Sequence, residues 1–206
     1  LTVGEFAQMV NGEGWLTNHV ICPVTIIPVA NYRHDMPYTL PVSPSPNLNS
    51  AQSILLYPSL CLFEGTVISQ GRGTYFPFTV LGNPELKNKY SFSFTPVGIK
   101  GMAETPLHMN QVCYGLDLRN YDTRILRKKK EINIRWMMDF YRDYPEKDRF
   151  FDYKQSKEMG NIDKLAGTRQ FKEQIISGAS EAEIRKSWEP GLAAYKIMRK
   201  KYLLYP

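Results

Sequence analysis

Histidine and cysteine are scarce in this chain of 206 residues, with three of each. Cys22, Cys61 and Cys113 lie far apart and are odd in number, so they offer no C-x-x-C pair and no disulfide framework. Cys61 and Cys113 fall in apolar runs and read as small core residues. His19, His34 and His108 are equally scattered. Without ligands clustered by spacing, no metal site is expected, and no cofactor of any kind. The chain lacks an apolar run long enough for a membrane span and shows no signal-peptide pattern. Gly-Lys-Ser/Thr is missing, which excludes a phosphate loop, and no third glycine completes a dinucleotide fingerprint. A Gly-x-Ser-x-Gly elbow is absent too, and no cysteine has an evident histidine partner, so serine or cysteine hydrolysis is not indicated. Internal repeats and low-complexity tracts are also lacking.

What is present is apolar and aromatic. Apolar residues make up 43% of the chain and it has 13 tyrosines, enough for a substantial core. A flat ring with a polar tip also stacks well on a sugar, but composition favours the core reading. The net charge of +6 comes largely from Arg127–Lys130 and Arg199–Lys201. Both runs flank helix-like segments and read as solvated helix ends that complement the dipole. No nucleic-acid-binding module surrounds them, so no nucleic acid is expected as a partner.

Thr2 and Glu5 have capping-box spacing ahead of Phe6, Met9 and Val10, which predicts a helix from about Val3 to Val10. A chain that opens on a helix cap reads as part of something longer. His19 to Ala30 (HVICPVTIIPVA) is dense in Val, Ile and Thr and predicts strands, with Pro23 and Pro28 making them edge or broken ones. Four prolines between Pro37 and Asn49 predict an ordered loop or linker. Ser50 caps a helix carrying Ile54 and Leu55, which Pro58 should disturb. Tyr90–Val97 and Gln111–Leu118 alternate as strands. Beyond Ile132 the spacing turns helical. Trp136, Met137 and Phe140 share one face, Thr168 caps a helix stopped by Gly178, and Ser180 with Glu183 forms another capping box. Pro190 suits the first turn of a separate final helix. Strands followed by helices, without βαβ alternation, indicate an α+β class.

The chemistry-bearing stretch is Phe63–Phe78, FEGTVISQGRGTYFPF. Gly71 and Gly73 flank Arg72 and let the backbone turn tightly against a ligand, while the guanidinium offers a planar fork to a carboxylate or phosphate. A plain hairpin turn with an exposed arginine fits those letters equally well. Glu64 reads either as a catalytic carboxylate or as a structural partner of Arg72 across the turn. Pro44-Ser45-Pro46-Asn47 stiffens the backbone and could present Asn47 to a sugar hydroxyl or amide, or simply connect two elements. His34 beside Asp35 is a third cluster, with a surface loop as the plainer reading.

Together and in this order, several segments resemble one family, the bacterial exo-β-N-acetylmuramidases of glycoside hydrolase family 171. They are Leu1–Glu5, Pro44–Asn47, Tyr57-Pro58, Glu64-Gly65-Thr66, Ser69 with Gly71–Thr74, Pro77-Phe78, Gly82, Ser187-Trp188 and Tyr202–Tyr205. The resemblance implies removal of N-acetylmuramic acid from the non-reducing end of peptidoglycan fragments, in cell-wall turnover, and hence a periplasmic or secreted location. It implies a Rossmann-like amino-terminal domain and a smaller carboxy-terminal one, with the site in a cleft between them. Residues 1–206 read as the carboxy-terminal portion, with residues 1–12 a helix leading from an upstream Rossmann-like domain. That domain's Glu-His-Gly motif and principal catalytic acid have no counterpart here, so this chain alone is expected to be inactive. Its expected role is binding a peptidoglycan-derived saccharide through Arg72, Asn47, Ser69, Gly71, Gly73, Thr74 and His34. Glu64 is then a candidate second carboxylate.

Overall fold

The cap read at Thr2 closes in both directions. The Thr2 amide donates to the Glu5 carboxylate at 2.6 Å, and the Glu5 amide donates back to the Thr2 hydroxyl at 3.3 Å. In the computed structural model, which describes residues 1–151 and 162–206, this cap starts the first of ten regular elements among the described residues. They run α1 (Val3–Gly12), α2 (Ala51–Leu60), β1 (Val80–Asn83), β2 (Phe92–Phe94), β3 (Cys113–Asp117), α3 (Arg124–Lys129), α4 (Arg135–Asp143), α5 (Ile162–Ala166), α6 (Gln170–Ile176) and α7 (Glu181–Arg199). The class is α+β, and the chain divides into two compact units. One combines Leu1–Tyr38 with Ala182–Pro206; the other is Thr39–Glu181.

In the larger unit, β3 is the middle of a three-stranded antiparallel sheet of order β1-β3-β2. Gly115 pairs with Gly82 on one side and Phe92 on the other. A Cβ at Gly115 would run into the Leu81 carbonyl, so the central strand needs glycine there. Val80, Phe94 and Cys113 are buried together on the sheet, with Phe76 and Phe92 packed against them. Beside this lies an aromatic core. Phe140 of α4 meets Phe63 edge-on at 5.6 Å and stacks on Tyr90 at 5.1 Å. Helix α5 approaches the tight turn Cys61–Gly65 so closely that a Cβ on Gly65 would lie 2.6 Å from Ile162.

Three expectations need correction. The strands predicted within His19–Ala30 do not form: His19 ends the short 3-10 turn Thr17–His19, and the rest of the stretch has no regular structure and is exposed almost throughout. Propensity supplies the side chains for a strand, but a strand also needs a neighbour to bond, and the described residues supply none. Pro58 does not interrupt α2, which continues to Leu60. It stands in the last turn, where one forfeited hydrogen bond is absorbed as the helix tightens into the following turn. Nor does Pro190 begin a new helix. It lies inside the 19-residue α7, whose preceding turns are anchored by the buried Ile184.

The smaller unit is closed by its own tail. Tyr202 donates to Glu13 at 2.7 Å, the Leu204 amide donates to Glu5 at 2.8 Å, and the His34 amide donates to the Pro206 carbonyl at 3.2 Å. Tyr32 and Tyr205 meet edge-on at 4.8 Å. The basic run after Arg124 occupies the last turn of α3, where Lys130 takes a left-handed cap and the cations face solvent.

Candidate functional site

The stretch from Thr66 to Asn83 is built from local hydrogen bonds that leave little of it free. Thr66 donates to the Phe63 carbonyl at 2.8 Å, ending the tight turn that carries Glu64. Ser69 exchanges both backbone bonds with Gly82, at 2.8 and 3.0 Å, which pins the chain to β1. The Gly71 amide donates to the Ser69 hydroxyl at 3.2 Å, and the Thr74 hydroxyl donates to the Gly71 carbonyl at 2.6 Å. Gly71 and Gly73 have φ of 77° and 81°, which explains the glycines on either side of Arg72. A Cβ on Gly73 would also meet Pro106 and, at 2.7 Å, the Val97 carbonyl. Ser69, Gly71, Gly73 and Thr74 are thus buried scaffold that sets the direction of Arg72.

Arg72 reaches back eight residues. Its Nη2 donates to Glu64 Oε2 at 2.7 Å, and its guanidinium lies over the Phe78 ring at 5.1 Å. The Glu64 side chain is 13% exposed and that of Arg72 33%, so the pair sits at the rim of the fold. Arg72 Nε is buried without a partner among the described residues. Tyr57 meets Phe78 edge-on at 5.0 Å. Burial raises the Tyr57 phenol above its ordinary value, and the Glu64 charge raises it further. The same two causes raise the Cys61 thiol. A neutral phenol and a neutral thiol therefore flank the ion pair. Spacing in the sequence does not reveal that Tyr57 and Cys61 belong to this group, because only the packing of α2 on the Cys61–Gly65 turn brings them there.

The remaining predicted residues, Asn47 and His34, have other partners. Asn47 is buried, with its Nδ2 donating to the Met102 carbonyl at 2.9 Å and its Oδ1 unpartnered among the described residues. His34 belongs to the smaller unit, where its Nε2 lies 2.9 Å from the buried Glu5 carboxylate. Burial would raise that carboxyl, but the Thr2 and Leu204 amides and His34 more than offset it and hold Glu5 down to about 2. His108, assigned no role from the sequence, bonds the Val67 carbonyl at 2.7 Å beside Asn83, and burial depresses its pKa. A cleft of about 400 Å³ in the larger unit is lined by Arg135, Asp139, Arg142, Ile175 and Glu181, none of them predicted. Among the described residues, no three His, Cys, Asp or Glu side chains gather as a metal site would require, and no helix is long and apolar enough to cross a membrane.

The family model for the carboxy-terminal part of the exo-β-N-acetylmuramidase NamZ matches residues 55–205. The chain belongs to the NamZ family. The model for the family's amino-terminal part matches residues 1–52, so His34 and Asn47 fall on that side of the family boundary and Glu64 to Thr74 on the other. The chain is similar to the peptidoglycan β-N-acetylmuramidase NamZ of Bacillus subtilis, with 30% identity over all of this chain and 50% of that protein. A solved DUF1343 family protein from Bacteroides fragilis shares 43% identity, with a TM-score of 0.89, over all of this chain and 55% of its own. A second Bacteroides fragilis DUF1343 structure, at 18% identity and a TM-score of 0.71, shares the fold. The chain therefore spans about half the length of the NamZ relatives it matches.

Proposed function

We propose that this chain is the substrate-binding portion of a glycoside hydrolase that releases N-acetylmuramic acid from the non-reducing end of peptidoglycan fragments. The observation that carries the reading is Arg72. Its guanidinium is tethered on one nitrogen by Glu64, faces Phe78, and keeps Nε unpartnered among the described residues. A guanidinium fixed in this way has donors left for a planar anion. Muramic acid differs from N-acetylglucosamine by a lactyl carboxylate, and a charge-assisted bond to it is worth about 1.5–3 kcal/mol. Glu64 orients the fork, with a second-carboxylate role left to it. The principal acid/base belongs to a Rossmann-like portion of the family protein, in keeping with the absence of Glu-His-Gly from these 206 residues. Asn47, whose buried Oδ1 lacks a partner among the described residues, is assigned the acceptor for a sugar N–H or O–H. A peptidoglycan substrate puts the protein in the periplasm or outside the cell.

The test is selectivity in the full-length protein. Arg72→Ala should lower kcat/KM on muramic-acid-terminated substrates by about 10–150-fold, the equivalent of that bond, and leave glucosamine-terminated ones nearly unchanged. Equal loss on both overturns the reading. A second reading, a glycan-binding or structural part without catalytic groups, draws support from the commitment of Glu64 to Arg72. It predicts that Glu64→Gln leaves kcat untouched and changes KM alone.

A further inference from the structure

The segment Val20–Val29 combines two properties that rarely persist together in water. Its side chains are largely apolar in both alternating directions and most are exposed: Ile27 is 87% accessible, Ile21 75% and Val29 65%, while Ile26 is half-buried beside Gly4. A strand with one wet face alternates apolar and polar residues, whereas an unbroken apolar run belongs to a strand covered on both faces. Its backbone is also idle. The amides of Ile21, Val24, Thr25, Ile26 and Ile27 have no acceptor among the described residues. The ends are nevertheless held. Asn11 grips Cys22 by both backbone groups, at 2.7 and 3.1 Å, and the Val29 amide donates to the Tyr205 hydroxyl at 3.0 Å. Between these clamps, Pro23 and Pro28 bracket the four residues Val24–Ile27.

We infer that Val24–Ile27 is a strand donated by this chain to the sheet of the remaining portion of its amino-terminal NamZ domain, with Ile21, Ile27 and Val29 buried beneath that portion. The inference rests on the reading that the chain works within a longer muramidase, and two observations favour this occupant over others. The segment lies within the 52 residues that match the amino-terminal family model, and the chain covers only about half of the relatives it matches. Strand addition supplies acceptors for the idle amides, and the covering portion buries the apolar side chains. The prolines confine pairing to a short edge strand.

Amide hydrogen exchange, resolved by residue, compares the full-length protein with this 206-residue chain. The Val24–Ile27 amides should exchange at least about 100-fold more slowly in the full-length protein, as amides in a core strand do. Ile27→Asp in the full-length protein should abolish that protection, while Ile27→Val keeps it. Equal exchange in the two proteins overturns the proposal. So does protection in the short chain that grows with its concentration, because a second copy is then the occupant. Exchange is read without substrate, so loss of Arg72 selectivity and loss of this protection are separate failures.

Discussion

Phe63–Asn83 and His19–Ala30 both carry Val, Ile and Thr among Gly or Pro, yet they end in opposite states. In the first, Ser69 pairs with Gly82, Thr66 and Thr74 bond back onto the main chain, and Phe63, Ile68, Phe78 and Leu81 are buried. In the second, apolar side chains face solvent and successive amides lack partners. The difference is supply. The first segment has β3 and the aromatic core of its own unit to pack on, and the second pairs with no strand among the described residues. Propensity measures fit to a pleated surface, and here the surface itself is the variable.

The comparison breaks most easily on the built side. Phe63→Ala removes a fully buried ring facing Phe140 and should cost about 3–5 kcal/mol of unfolding free energy, measured by urea titration. Gly73→Ala forces a left-handed residue against Pro106 and the Val97 carbonyl and should cost about 2–3 kcal/mol. An acid titration then sharpens the contrast between units. Glu5 has its folded pKa depressed from 4.5 to about 2, so its stabilisation is complete above 4.5 and is lost as the pH falls toward 2. Near-neutral samples should keep the Tyr202–Pro206 tail docked. Glu5→Gln should flatten the acid limb, followed by the fluorescence of the tail tyrosines. Glu64→Gln should cost less than about 1 kcal/mol, because the ion pair is partly solvated. The smallest effect belongs to the unbuilt side: Ile27→Ser in this chain should change stability by no more than about 0.5 kcal/mol.

Much of the fold was legible wherever a local signal sufficed. The Thr2–Glu5 box, the Ser50 cap, the helical face of Trp136, Met137 and Phe140, and the Gly178 stop all act within one or two turns. β1 was not read, since four residues containing Gly82 carry no alternation and their pairing with β3 spans some thirty positions. The site divides the same way. The Glu64–Arg72 pair was one of two readings open in the sequence, being eight residues and one glycine-flanked turn apart. The anchoring of Asn47 on Met102, the pairing of His34 with Glu5 and the place of His108 on Val67 depend on contacts 29 to 55 residues apart, and no local pattern encodes them. Pro190 misled because a proline that suits a first turn is also tolerated within an anchored helix.

The smaller unit is made of the two ends of the chain, and its closing bonds join Glu5, Glu13, Val29 and His34 to residues after 200. During synthesis those partners emerge more than 160 residues after the groups they hold. Thr39–Glu181 is therefore complete while α1 still waits, and the unit bearing the His34–Glu5 pair can close only after Pro206 has left the ribosome. A chain stalled before Tyr202 would hold α1 without these closing bonds, with the sheet already formed.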